Sequence, residues 1–119
     1  MQVLLVEDEI VTRESARITL ESLGYGVTAV GDGDEALKAF AQQDFDVVVM
    51  DIKMPVMDGL EATRRIRSSQ GGQSAVPIIA LTGFSPRELP NIQDAGINAF
   101  IEKPFEFNNL IKTIRSFAA

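Results

Sequence analysis

Short apolar runs that each stop abruptly at a polar residue are the dominant pattern of this chain. Val3-Leu4-Leu5-Val6 ends at Glu7-Asp8-Glu9, Val47-Val48-Val49-Met50 ends at Asp51, and Ile78-Ile79-Ala80-Leu81 ends at Thr82. Continuous runs of this length, rich in β-branched residues, predict strands buried on both faces of a parallel sheet. Gly26 to Val30 predicts a second strand, less apolar and therefore nearer an edge. Ala99-Phe100-Ile101 predicts a short fifth strand that ends before Lys103-Pro104.

Helical periodicity fills the intervals. Ile10 to Leu23 places Ala16, Leu20 and Leu23 on one face, and Gly24 supplies the stop. After the Gly31-Asp32-Gly33 turn, Asp34 to Gln43 forms a helix with Ala36, Leu37, Phe40 and Ala41 as its inward stripe. A loop with Pro55 leads to a helix from about Asp58 to Ser68, and Ser69 to Ala75 is a polar surface loop. Pro86 suits the first turn of a fourth helical segment, but Pro90 sits where that helix should continue, so it is expected to be short, kinked or irregular. A last helix from about Phe107 to Phe117 buries Phe107, Leu110, Ile111, Ile114 and Phe117. Five strands alternating with five helical segments describe a doubly wound α/β fold.

At 119 residues, with no shift in composition and no linker, the chain reads as a single domain spanning residues 1–119. No apolar run reaches the length of a membrane span and no secretory signal opens the sequence, so the expected location is cytoplasmic. The net charge of -6 disfavours a nucleic-acid surface. Cysteine and histidine are both absent, which removes disulfides, thiolate chemistry, His-based acid–base catalysis and most transition-metal sites. Carboxylates, hydroxyls and lysine remain, and their natural metal partner is a hard cation such as Mg²⁺.

In a parallel sheet the C-terminal strand ends share one edge, and ligands bind in the crevice outside it. Glu7, Asp8, Asp51, Thr82 and Lys103 all fall there. Crowded carboxylates repel one another unless a cation relieves them. A divalent cation and a lysine beside an aspartate can neutralise and position a phosphoryl group in transfer, with Asp51 as nucleophile. Each residue also has a plainer reading when taken alone. Asp8 or Thr12 can cap the first helix, Asp51 can close a strand, Thr82 can sit in a turn, and Lys103 can be a snorkelling surface residue.

The residues from Val3 to about Phe117 resemble the receiver domains of bacterial two-component response regulators and hybrid histidine kinases. The resemblance rests on Val3 to Glu9, the block Met50-Asp51-Ile52-Lys53-Met54-Pro55-Val56-Met57-Asp58-Gly59, Pro77 to Thr82, and Phe100 to Phe105. It implies a flavodoxin-like five-stranded sheet in the order 2-1-3-4-5. It also implies that Asp51 is the phosphoacceptor for a phosphohistidine on a partner kinase or histidine phosphotransfer protein. Asp8 would bind Mg²⁺ directly, Glu7 through a water, and the backbone carbonyl of Lys53 would add a ligand. Lys103 would pair with phosphoryl oxygens, followed by Pro104 through a cis peptide. Thr82 and Phe100 would be the switch pair, and a downstream protein would read the face made by the fourth helical segment, the fifth strand and the last helix.

Several positions depart from the family pattern. Gly83 follows Thr82 where Ala is common, which would loosen that loop, and Lys53 and Phe84 occupy positions that tune phosphoryl lifetime. Pro90 is the least usual feature. The block from Met54 to Thr63 resembles hybrid-kinase receivers somewhat more than transcription-factor ones, and the chain is expected to be either a stand-alone regulator or one domain of a larger protein.

Three other readings bear on the same residues. A haloacid-dehalogenase-type phosphatase needs a second acid where Lys53 stands. A flavin- or nucleotide-binding relative needs a Gly-rich loop after the first strand, and none is present. A phosphorylation-independent interaction module on the same fold is the main alternative.

Overall fold

The computed structural model describes residues 1–52, 59–69, 75–83, 96–103 and 105–117. The fourth helical segment with Pro86 and Pro90 lies outside these residues, as do Lys53, Pro55, Phe84, Pro104 and the turn from Met54 to Asp58. The elements run β1 Gln2–Val6, α1 Ile10–Ser22, β2 Gly26–Val30, α2 Gly33–Gln42, β3 Val47–Asp51, α3 Gly59–Ser68, β4 Ile78–Thr82, β5 Ala99–Glu102 and α4 Phe107–Ser116. All strand pairs are parallel, and the sheet order is β2-β1-β3-β4-β5. The strands fall where the apolar runs predict them. The less apolar β2 is indeed an edge strand.

Strand alternation divides the core into two layers. Val3, Leu5, Val47, Val49, Ile79 and Leu81 face Ala16 and Leu20 of α1 and Leu110 and Ile114 of α4. Leu4, Val6, Val48, Met50 and Ile78 face Ala36 of α2 and Ala62 and Ile66 of α3. Every residue of β3 and β4 is buried, as expected of central strands covered on both sides.

Three packing expectations need correction. Leu23 is 46% exposed, because α1 ends at Ser22 and Leu23 is its C-cap rather than part of its buried face. The end is a Schellman motif: Gly24 N–H donates to Glu21 O, Tyr25 N–H donates to Leu20 O, and Gly24 takes φ +93°. Ala41 is exposed, whereas Ala39 packs against the core; Ala41 follows Ala36 by five residues, about 140° around the helix at 3.6 residues per turn. In α4 only Leu110 and Ile114 are fully buried, while Phe107, Ile111 and Phe117 are partly covered.

At the sheet edge opposite the strand C-termini, Arg67 of α3 acts as a clasp. Its Nη1 donates to Val76 O at 2.6 Å, while Nε and Nη2 donate to Gly96 O at 3.0 and 2.7 Å. Nη2 also reaches Asn98 Oδ1 at 2.7 Å, and that oxygen accepts Ile78 N–H at 2.8 Å. One planar guanidinium thus ties α3 to the entries of β4 and β5, a geometry that a lysine cannot reproduce. Arg67→Ala strands these acceptors and should cost about 2–4 kcal/mol in urea unfolding. A loss below ~0.5 kcal/mol, the range of ordinary surface substitutions, would mean that the clasp holds nothing.

Candidate functional site: an acidic cluster at the strand C-termini

Strand register sets the site. Val6 pairs with Met50, Asp51 with Leu81, and Thr82 with Glu102, so the residues after β1, β3, β4 and β5 line up along one edge. Carboxylate oxygens of Glu7, Asp8 and Asp51 lie within 4.8 Å of one another. Lys103 Nζ donates to Glu7 Oε1 at 3.1 Å, to Glu7 Oε2 at 3.2 Å and to Asp51 Oδ2 at 3.1 Å. Lys103 N–H donates to Thr82 O, which fixes the lysine against the end of β4. Thr82 itself is buried. Four of the five strand-end residues are thus joined through their carboxylate and ammonium groups, with Thr82 adjoining them along the backbone.

Burial differs sharply within the cluster. Glu7 is 1% exposed and Asp51 is 4% exposed, whereas Asp8 stands open to solvent at the mouth. Burial, then hydrogen bonding to and repulsion by Asp51, push the Glu7 pKa up to about 8 against the opposing pull of Lys103. The same causes in the same order raise Asp8 above its ordinary value. For Lys103 burial opposes the charge, but hydrogen bonds to and attraction by Asp51 and Glu7 outweigh it and raise its pKa.

The cap of α1 resolves the plainer reading of Asp8. Glu9 is the N-cap, and its carboxylate accepts Val11 N–H at 3.2 Å, Thr12 N–H at 2.7 Å and the Thr12 hydroxyl at 2.8 Å. Thr12 donates to the cap, and the acid that caps is Glu9, so neither Asp8 nor Thr12 fills that role. Sequence reading missed Glu9 because Glu is a rare cap residue.

The donor set fits a hard divalent cation. Mg²⁺ takes one or two carboxylates and fills its remaining positions with water and phosphate oxygens. Here two buried carboxylates converge on a third at the solvent boundary. The Lys53 carbonyl lies outside the described residues.

Gly59 closes the site from below. Its N–H donates to Ile52 O at 2.7 Å, and a β-carbon at Gly59 would collide with Asp51 O and sit 2.7 Å from Ile52 Cα. These neighbours are backbone and cannot swing aside. Gly59→Ala must therefore displace either α3 or the Asp51 peptide, and a destabilisation of about 1–3 kcal/mol is expected in urea unfolding. Unfolding at the wild-type midpoint would show that the two segments are not in contact. Gly83 is different, since a β-carbon there meets nothing within 4 Å and no steric need for glycine exists.

Two clefts are found among the described residues. One, of about 510 Å³, opens beside Lys103 and is lined by Val11, Thr12, Ser15, Phe105 and Phe107. The other, of about 480 Å³, runs along β5 and α4, where Phe100, 40% exposed, joins Phe105, Asn109 and Lys112 in its wall. The Phe105 and Phe107 rings meet edge to face, with centroids 5.7 Å apart.

Fold and site together define a receiver of the two-component type, and the comparisons agree. The response regulator receiver domain model matches residues 3–115, and the chain belongs to that family. It is 41% identical over 117 residues to the CAI-1 autoinducer sensor kinase/phosphatase CqsS of Vibrio cholerae, covering 98% of this chain but 17% of that protein. It is 38% identical to the transcriptional regulatory protein PdtaR of Mycobacterium tuberculosis, over 95% of this chain and 54% of that one. The chain therefore spans about half or less of these curated relatives. Among solved structures, the chemotaxis response regulator CheY4 of Vibrio cholerae superposes with a TM-score of 0.91 at 35% identity, covering 98% of this chain and 97% of that one. The receiver domain of sensor histidine kinase PA1611 from Pseudomonas aeruginosa superposes with a TM-score of 0.87 at 40% identity, covering 98% and 95%. That structure holds a magnesium ion in its active-site cleft. Among the described residues no helix is long and apolar enough to cross a membrane.

Proposed function

We propose that residues 1–119 form one cytoplasmic receiver domain in which Asp51 accepts a phosphoryl group from a phosphohistidine of a partner kinase or histidine phosphotransfer protein. The observation that carries this reading is the convergence of Glu7, Asp8 and Asp51 within 4.8 Å, with Lys103 bridging two of them. Such an arrangement has little value for stability, because desolvating the charges costs as much as their attraction returns. It has high value for handling a multiply charged phosphoryl group.

An Asp51 carboxylate oxygen attacks phosphorus, the N–P bond breaks, and its electron pair leaves with the donor imidazole, which takes up a proton. With no histidine in this chain, the donor histidine belongs to another protein or another part of a longer one. Asp8 and Asp51 would hold Mg²⁺ directly, Glu7 through a water and Lys53 through its carbonyl, and the ion would supply charge neutralisation. Lys103 already contacts Asp51 and is placed to follow the phosphoryl oxygens when its bond to that carboxylate is given up.

Thr82 and Phe100 form the switch on this reading. Thr82 turns its hydroxyl onto the phosphoryl group, and Phe100, from its exposed position on β5, changes rotamer in response. The change is read by a downstream protein on the face of the fourth helical segment, β5 and α4. The phosphorylation-independent module is not favoured, since acid, hydroxyl and lysine are all retained.

Phosphoramidate, a small donor with an N–P bond, provides the test. In the presence of Mg²⁺ the intact mass is expected to rise by one phosphoryl group. A protein that binds Mg²⁺ yet gains no mass would overturn the proposal.

A further inference from the structure

We propose that Arg13 is a positioning residue for the metal-binding acids: it holds the β1–α1 turn through the Glu7 carbonyl, in a seat that Gly31 leaves open. The inference rests on the Mg²⁺ reading given above. Glu7 and Asp8 occupy the short link between the last residue of β1 and the Glu9 cap of α1. Two acids in so short a link need their peptide planes fixed if their carboxylates are to converge.

The peptide groups on both sides of Glu7 are held. The Glu7 N–H donates to Val30 O at 3.1 Å, and the Glu7 carbonyl accepts Arg13 Nη1 at 3.0 Å. The grip comes from α1 on one side and the end of β2 on the other. The guanidinium lies over Gly31, where a β-carbon would stand 2.9 Å from Nη1 and 3.4 Å from Glu35 Oε2. Gly31 does not take a positive φ, so it is space and not backbone conformation that calls for glycine here. The Gly31 loop is in turn held by α2: Glu35 Oε2 accepts Gly31 N–H at 2.7 Å, and Asp32 Oδ1 accepts Glu35 N–H at 2.8 Å. The ends of β1 and β2 and the starts of α1 and α2 are thus joined around the Glu7 carbonyl.

The Arg13 hydrogen bond goes to the Glu7 carbonyl and not to a carboxylate oxygen, so its influence runs through the Glu7 backbone. Its charge acts the other way, because a nearby cation repels Mg²⁺. The two effects can be separated. Arg13→Ala removes both the hydrogen bond and the charge, whereas Gly31→Ala keeps the charge and pushes the guanidinium out of its seat.

The test is an NMR titration of the wild type, Arg13→Ala and Gly31→Ala with MgCl₂, alongside thermal unfolding of each metal-free protein. Loss of an outer-shell partner weakens metal binding about 10-fold or more. Both variants are expected to show that loss with amide spectra that remain those of a folded protein. A merely structural role would lower the metal-free Tm and leave Mg²⁺ affinity unchanged, and that result overturns the inference. Tighter binding by Arg13→Ala with no change in Gly31→Ala also overturns it, assigning Arg13 an electrostatic effect only. If Arg13→Ala does not fold, Gly31→Ala decides alone. A wild type that binds no Mg²⁺ overturns the metal reading, and this inference with it.

Discussion

Asp51→Asn is expected to eliminate phosphoryl acceptance while leaving the protein folded. An amide is a poor nucleophile, and no neighbouring acid can replace Asp51. Glu7 is 1% exposed and bound through both oxygens to Lys103, and Asp8 sits at the mouth. Asn is nearly the same size and leaves Lys103 its partner in Glu7. The substitution also removes one of the charges that hold Glu7 protonated, since the hydrogen bond and repulsion from Asp51 both raise its pKa. Two outcomes should therefore appear together. Mass spectrometry after treatment with phosphoramidate and Mg²⁺ should show no gain, and the Glu7 pKa, followed by carbon-detected NMR, should move down from about 8. A mass gain equal to that of wild type would remove Asp51 from its assigned role.

The second large effect is the joint dependence of stability on Mg²⁺ and pH. In the metal-free protein Glu7 titrates near 8 instead of 4.5, so between those values the folded state holds a proton that the unfolded state has released. Stability present below the unfolded value is lost as pH rises through the folded value. Asp8, raised in the same direction, adds to the trend. On the proposed reading, Mg²⁺ would bind the ionised carboxylates and cancel this loss. Its affinity should therefore climb between pH 5 and pH 8, with protons released on binding. At a Mg²⁺ concentration ~100-fold above Kd the gain is about 2.7 kcal/mol, a Tm increase on the order of 10 °C. Thermal unfolding at several pH values with Mg²⁺ or a chelator checks this. A Mg²⁺ effect that shrinks as pH rises would contradict the protonation state assigned to Glu7.

The strands β1, β3 and β4 were legible because each is a short continuous apolar run, and only a strand covered on both faces needs one. The strand-end polar residues were legible for the same reason, since a parallel sheet gathers its C-terminal ends. Reading failed where tertiary packing outweighed local pattern. Leu23 has an apolar side chain at helical spacing from Leu20, but the Schellman motif at Gly24 ends the helix before it can turn inward. Phe45 is 3% exposed and packs into the α2–α3 layer, although it stands between two aspartates with no periodic partner.

The hidden part of the site is its support. Arg13 acts on the Glu7 carbonyl, Gly59 on the backbone of Asp51 and Ile52, and Gly31 by leaving room for the Arg13 guanidinium; no side-chain pattern marks such contacts. Arg67 spans 29 residues to reach Gly96 and reads in sequence as one more exposed helix arginine beside Arg64 and Arg65. The chemistry-bearing residues can be named from the sequence; the groups that aim them cannot.

The most direct measurement is to locate the phosphoryl group. Acyl phosphates are reduced by borohydride, which converts a phosphorylated aspartate to homoserine and marks its position in a peptide map. After phosphorylation in Mg²⁺, homoserine is expected at Asp51 and nowhere else, with none when the metal is chelated. Homoserine at Asp8, or a phosphoryl group on Thr82 that borohydride leaves untouched, would contradict it.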